Sequence, residues 1–266
     1  MHWTAVLLLF VILLGLLLWA AWPRAVKGAS GYGADDSWLT SPGAAPSAKV
    51  RIGTFNIHGG KGRDGRRDLL RQAEDLQGID IAVLQEVHDS WRAPRQLTRL
   101  AARLGVATLN APVRSRWFRR HRSNALLTRY PVGVWTRVPL TEQGDRGFHF
   151  RNLTIAQLRL RQPLWVMFTH LNRGDGREVQ LDKVLQEFLQ RSPAVLMGDF
   201  NMTRDDPAMR KCLARPGVRD ALGEALENDN PSRIDWILYR GLEVTDAGVI
   251  DSGASDHPLY WCDIRV

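Results

Sequence analysis

Ala194-Val195-Leu196-Met197-Gly198-Asp199-Phe200-Asn201 runs an apolar strand straight into a carboxylate and an amide. The pattern recurs along the chain. Leu84-Gln85-Glu86-Val87, Ile234-Asp235-Trp236 and Ser255-Asp256-His257 each set an acid beside an apolar run. Burying an unpaired carboxylate costs several kcal/mol, so acids at such positions need a partner. Where several gather in one domain, a divalent cation is the natural one. The pattern points to metal-assisted hydrolysis.

The segments around these strings read mostly as strands. Alternation and β-branched residues predict strands over 50–57 and 80–87. Further strands are expected over 124–128, 132–138, 153–160 and 164–170, separated by turns such as Tyr130-Pro131 and Gln162-Pro163. The last three fall at 233–239, 242–250 and 258–266. Helical spacing of apolar residues predicts helices over 64–77, 94–104 and 177–190, the first two ending at Gly78 and Gly105. Strands outnumber helices and hairpin-like neighbours are common. That combination predicts two mixed, mostly antiparallel sheets packed face to face with helices outside, not a doubly wound parallel sheet.

The 266 residues, 44% hydrophobic, are enough to bury a sizeable core. The formal net charge is +8. Arg24 and Lys27 are balanced by Asp35 and Asp36, so the excess lies from Lys49 onward. Acidic site strings suit a cation, while a basic surrounding suits a phosphate-bearing polyanion. Solubility alone would also explain the charge. Cys212 and Cys262 form no C-x-x-C spacing, which excludes zinc-finger and thioredoxin-type motifs.

Residues 5–22 are an uninterrupted apolar run without charge, flanked by Trp3, Trp19 and Trp22. Its length, about 27 Å as a helix, matches a bilayer core. A cleaved signal peptide is the alternative, but no Lys or Arg precedes the run. The expected organisation is therefore a membrane anchor over 1–27, a Gly/Ser/Pro-rich flexible tether over 28–48 and a catalytic domain over 49–266. The positive-inside rule, applied to Arg24 and Lys27, puts the domain in the cytoplasm. A signal-like reading puts it outside, and the orientation stays open.

Taken in order, Thr54-Phe55-Asn56-Ile57-His58, Leu84-Gln85-Glu86-Val87, Ser123-Asn124-Ala125, Thr169-His170, Gly198-Asp199-Phe200-Asn201, Ile234-Asp235-Trp236-Ile237 and Ser255-Asp256-His257 closely resemble a known motif series. It is that of the endonuclease/exonuclease/phosphatase superfamily, whose members resemble DNase I in fold. They include abasic-site endonucleases, sphingomyelinases and inositol polyphosphate phosphatases. The resemblance spans the chain from about Val50 to its end. It implies a four-layer α/β sandwich and Mg²⁺-dependent phosphoester hydrolysis, with Mn²⁺ as a possible substitute.

Glu86 is the expected metal carboxylate, joined by Asn56 and Asp256. Mg²⁺ needs only one or two protein carboxylates, besides waters and the substrate phosphate. The resemblance casts Asp199 as the group that orients or deprotonates the attacking water, and Asn201 as a phosphate or water ligand. Asp235 and His257 look like a carboxylate–imidazole pair. His170 would protonate the leaving oxygen or stabilise the pentavalent transition state, with Asn124 orienting it or a phosphate oxygen. His58 stands where some relatives carry an acid. A histidine at the position of His170 resembles the DNase I, sphingomyelinase and phosphatase branches.

Arg114-Ser115-Arg116-Trp117-Phe118-Arg119-Arg120-His121-Arg122 interleaves basic and aromatic residues. Arg116, Arg119, Arg120 and Arg122 would grip a nucleic-acid backbone, with an aromatic stacked on a base. Anionic lipid headgroups would serve the same arginines. A solvated charged loop is the plain alternative. Expected partners are thus a phosphate-bearing polyanion, nucleic acid or lipid, and the membrane. The leading expectation is a nuclease-type phosphodiesterase, with a lipid phosphodiesterase or phosphatase second. A catalytically inactive binding module is the third, and the intact set of site residues argues against it.

Overall fold

The computed structural model describes residues 2–22, 24–37, 49–89, 95–115, 121–141, 150–227 and 229–265. In chain order the elements begin with α1 (His2–Ala21), β1 (Arg24–Ala25), β2 (Ala29–Tyr32), β3 (Asp36–Ser37) and β4 (Lys49–Asn56). Then come α2 (Leu69–Asp75), β5 (Ile81–Asp89), α3 (Gln96–Leu104), β6 (Ala107–Ser115), β7 (His121–Thr128) and β8 (Val132–Pro139). Next are β9 (Asn152–Leu158), β10 (Leu164–His170), α4 (Arg177–Leu189), β11 (Ala194–Asp199) and α5 (Pro207–Leu213). The chain closes with β12 (Arg219–Asp220), α6 (Ala221–Ala225), β13 (Asp235–Arg240), β14 (Glu243–Ile250) and β15 (Leu259–Arg265).

Among the described residues the strands form two sheets. One runs β1-β6-β7-β5-β4-β15-β14, with β3 also on β6; the other runs β12-β13-β11-β10-β9-β8-β2. Only β4–β5 and β10–β11 are parallel pairs. The inner faces meet in one apolar core, where Val50, Ile52 and Val83 of the first sheet join Val166, Phe168 and Val195 of the second. α2 and α3 cover the outer face of the first sheet through Ala73, Leu76 and Leu100. α4 and α5 cover the second through Leu181, Val184, Phe188 and Met209. This is the expected four-layer α/β sandwich. Each layer follows from one-sided burial, because a sheet with two apolar faces must be covered on both.

Several features differ from the sequence reading, among them α5, β12 and α6, which it did not contain, and the following three. The helix expected over 64–77 begins only at Leu69, because Asp68 caps it by accepting a hydrogen bond from the Leu70 backbone N–H. A strand absent from the reading, β6, pairs with β7 along most of its length. The third difference concerns 28–48. β2 adds to the edge of the second sheet on β8, and β3 pairs with β6 of the first. Exposed sheet edges accept any chain able to offer its backbone, whatever its side-chain pattern. Residues 38–48 lie outside the described residues.

α1 is long and apolar enough to cross a membrane, by length and composition, and nearly all its side chains are exposed. It ends three residues before β1, which pairs with β6 through Arg24↔Ser115 and Ala25↔Arg114. Arg24 also stacks over the Trp19 ring, 4.2 Å from its centroid.

Candidate active site

Strand register builds one wall of the site. In the second sheet His170 pairs with Asp199 across β10–β11, and Asp199 pairs with Asp235 across β11–β13. Residues directly opposite on neighbouring strands share a face, so the three side chains stand in a row at one end of the strands. Gly198 makes the close approach possible. Its φ is +146°, and a Cβ there would collide with the Thr169 carbonyl oxygen. Asp235 is fixed from both sides. The Arg233 guanidinium donates to its carbonyl oxygen at 2.9 Å, and the next residue, Trp236, donates its indole N–H to the Met202 carbonyl at 2.9 Å.

Asp199 is the hub, with no exposed surface. Asn56 Nδ2, from the end of β4 in the other sheet, donates to Asp199 Oδ2 at 3.0 Å. The Asn201 backbone N–H donates to Oδ1 at 2.9 Å. His170 Nε2 lies 3.4 Å from Oδ2, and His257 Nε2 lies 3.9 Å from it. Asn201 sits in the left-handed region, φ +53°, and its side chain donates to the Leu171 carbonyl at 2.9 Å. A phosphate or water role for Asn201 would therefore use its amide oxygen.

His257 Nδ1 is 2.7 Å from Asp235 Oδ2, so the expected carboxylate–imidazole pair forms. Burial pulls the His257 pKa down, but the bond and charge of Asp235, with Asp199 and Asp256, outweigh it and hold the ring at about 9. Burial raises the Asp199 carboxyl, as does the Asp235 charge, against opposing pulls from His257, Asn56 and Asn201. His170 goes the other way. Burial first, then Arg151 and His257, holds it well below its ordinary value, so it is neutral near pH 7.

The facing wall comes from the first sheet. Leu84 pairs with Ala125 and Val87 with Ser123, so Gln85 and Glu86 together face Asn124 alone. This β-bulge puts Glu86 at φ +55°, a left-handed conformation that an ordinary residue holds only under constraint. Glu86 is partly exposed, and Asp256 is exposed at the rim. His58 donates its backbone N–H to Asn56 Oδ1 at 3.1 Å, which leaves that oxygen one further lone pair. His58 Nδ1 lies 3.2 Å from Asp256 Oδ1 but is not aligned for a hydrogen bond.

Asn124 stands apart from its expected role. Its Nδ2 faces Asn152 Oδ1 at 3.5 Å, the long limit for such a bond, and no bond joins it to His170 among the described residues. Arg122 is exposed at the start of β7, close enough to lower the pKa of both His170 and His88. Arg116, Arg119 and Arg120 lie outside the described residues. Arg151 is a residue the sequence reading missed. Its Nε donates to Asn172 Oδ1 at 3.1 Å. Burial lowers its pKa to about 10, against the raising charges of Asp199 and Glu86, so both acids lie within its electrostatic reach. A single arginine before a strand carries no local signal of this.

Two donor sets could hold a cation. Ligand atoms of Asp199, Asp235 and His257 lie within 4.8 Å of one another. In that set Asp235 Oδ2 and His257 engage each other and Asn56 and Asn201 donate to Asp199, while Asp235 Oδ1 is buried without a hydrogen bond. The Glu86 side offers a bulged carboxylate and the remaining Asn56 lone pair, with the buried His88 Nε2, which makes no hydrogen bond, 4.0 Å from Glu86 Oε2. Oxygen donors of this kind fit a hard divalent cation. The arrangement can thus hold a cation on one wall and handle protons on the other.

A family model described as Endonuclease/Exonuclease/phosphatase family matches residues 53–257. No curated protein sequence matches the chain. Many solved structures do. An endonuclease/exonuclease/phosphatase from Beutenbergia cavernae is 23% identical, with a TM-score of 0.72, covering 82% of this chain and 72% of that one. TDP2 from D. rerio, solved with a single-strand DNA product, is 20% identical, with a TM-score of 0.65 and coverage of 83% and 100%. A mannosyl-6-phosphatase from Bacteroides thetaiotaomicron is 17% identical, with a TM-score of 0.67 and coverage of 81% and 99%. These likenesses establish the shared fold, and the match over 53–257 establishes the lineage. The chain belongs to the endonuclease/exonuclease/phosphatase family, whose members hydrolyse phosphoester bonds.

Proposed function

We propose that this protein is a metal-dependent phosphodiesterase that cleaves nucleic acid, held at a membrane by α1. The observation that carries the reading is the meeting of Asn56, His170, Asn201, Asp235 and His257 around the buried Asp199. Asp199 orients the attacking water and takes its proton. Its raised pKa keeps it basic enough to do so near neutrality. His257 is held as an imidazolium by Asp235, so it donates to a phosphoryl oxygen and does not act as the base. His170 is neutral and buried, which favours the second of its two expected roles, a fixed N–H donor that stabilises developing charge. Glu86, Asn56 and Asp256 would hold Mg²⁺ or Mn²⁺, which when bound would supply Lewis-acid polarisation of the phosphate. Arg151 and Arg122 steer and neutralise the phosphate, and Arg116, Arg119 and Arg120 extend the grip on the polyanion.

A lipid phosphoester is the second reading, favoured by the direct step from α1 into β1 on the edge that carries Arg114. The full chain in detergent micelles, supplied with Mg²⁺, decides between them. Single-stranded DNA, duplex DNA, RNA, sphingomyelin and phosphatidylinositol phosphates are offered in parallel. The expected result is nucleic-acid cleavage that EDTA abolishes and Mg²⁺ or Mn²⁺ restores. Turnover of a lipid alone selects the second reading. Activity indifferent to chelation contradicts both.

A further inference from the structure

The outer helix α2 carries an amide that covering a sheet does not require. Gln72 has no exposed surface, between Arg71 and the packed Ala73. A buried amide is costly unless its hydrogen bonds are made. Both protons of Gln72 Nε2 are used. One goes to the Ile57 carbonyl at 2.8 Å and the other to the Ala254 carbonyl at 2.9 Å.

Those carbonyls belong to two separate site segments. Ile57 follows Asn56, which donates to Asp199. Ala254 opens the run Ala254-Ser255-Asp256-His257. Residues 251–258 form no helix or strand, so no ladder fixes His257. Besides one backbone bond, from the Arg63 N–H to the Gly253 carbonyl, side chains tie this loop down. Ser255 Oγ donates to the Asn56 carbonyl at 2.6 Å. Asp75, one turn after Gln72 on the same side of α2, accepts from Ser252 Oγ at 2.6 Å. Ser252 Oγ in turn accepts from the Ala254 backbone N–H at 3.1 Å. α2 thus grips the loop at two points and the end of β4 at one.

The grip matters because of what the sheets leave open. Asp199 and Asp235 are set against each other by the β11–β13 register. Asn56 and His257 have no such register between them, since the β4–β15 ladder stops at Thr54↔Tyr260, short of both. Yet Asn56 Nδ2 must arrive 3.0 Å from Asp199 Oδ2 while His257 Nδ1 arrives 2.7 Å from Asp235 Oδ2. The Gln72 amide bridges the gap that the ladder leaves.

We propose that Gln72 is a positioning residue for phosphodiester cleavage, setting the spacing between Asn56 and His257 so that both meet the Asp199–Asp235 wall. The inference rests on the roles proposed for Asn56 and His257. Gln72 touches neither Asp199 nor Asp235 and acts through these two groups alone. Interactions that strengthen only in the transition state appear in kcat, so that is where its removal is felt.

The full chain in detergent, with Mg²⁺ and single-stranded DNA, is compared with Gln72→Met, which keeps the volume and removes both donors. Leu100→Ala, in the neighbouring outer helix α3, is the destabilised control. Gln72→Met should lower kcat by about 10–100-fold, the scale of a displacement approaching 1 Å, with KM nearly unchanged. Leu100→Ala should melt earlier and keep its kcat while folded. A second readout needs no turnover. The His257 ring proton held by Asp235 should give a downfield ¹H resonance, assigned by its loss in Asp235→Asn. It should vanish or broaden in Gln72→Met and persist in Leu100→Ala. An unchanged resonance or an unchanged kcat in folded Gln72→Met overturns the inference. Equal losses in both variants mark a general loosening of the outer layer and overturn it too, as does a wild type without the resonance. If the wild type cleaves no DNA, the nuclease reading fails and the resonance alone decides the role of Gln72. If Gln72→Met does not fold, Ser252→Ala, at an exposed position, takes its place, and readouts unchanged from wild type overturn the inference.

Discussion

At the scale of single residues, the site works by driving similar groups to opposite protonation states. His170 and His257 both lie within 4 Å of Asp199 Oδ2. Burial leaves the first neutral; Asp235 holds the second protonated, at about 9. The pH profile should therefore be bell-shaped. Its acid limb belongs to Asp199 and falls above the ordinary carboxylate range, because burial raises that group. Its alkaline limb falls near 9, where His257 loses its proton. His257 also links pH to stability. Its contribution is complete below the unfolded value of 6.5 and disappears as pH rises through about 9. A rate profile of kcat/KM that stays flat from pH 7 to 10 would contradict this assignment. Most of these residues were legible in the sequence, because an acid after an apolar run is conspicuous. Arg151 and His88 were not, since a lone arginine or histidine signals nothing until burial and neighbours are known.

At the scale of elements, two parallel strand pairs carry the site, β4–β5 in one sheet and β10–β11 in the other. Asn56, His170 and Asp199 end their strands, and the bulge in β5 re-aims Glu86. Gly198 lets β10 and β11 approach where His170 meets Asp199. Gly198→Ala should cost about 1–3 kcal/mol, the range for overpacking, and should separate that pair. A thermal melt unchanged from wild type would refute the close-approach argument. The strands bearing motifs were readable from alternation and apolar runs. β6 was obscured by the polar Asn110 and by Pro112 within it. α5 was missed although Asp206-Pro207 carried a signal, a capping acid followed by proline at the first helical turn.

For the whole molecule, the segment after the apolar helix is part of the fold. β1 and β3 pair with β6, and β2 completes the edge of the second sheet. Composition alone reads that segment as linker, because its order depends on edges supplied from elsewhere in the chain. A fragment of residues 24–266 should therefore melt at a higher temperature than one of residues 49–266. Equal melting temperatures would return 24–37 to the status of a tether. The same pairing holds the sandwich close to the end of α1.

Asp199→Asn in the full chain is the most direct probe of the central claim, because Asp199 is where the two sheets deliver their polar groups. A buried acid with a raised pKa opposes folding as pH rises above the unfolded value, so the neutral amide removes that cost. The account predicts that phosphodiester turnover falls by about 10²–10⁴-fold, while the melting temperature at pH 7 stays level or rises. Wild-type turnover in a folded Asp199→Asn protein would contradict it.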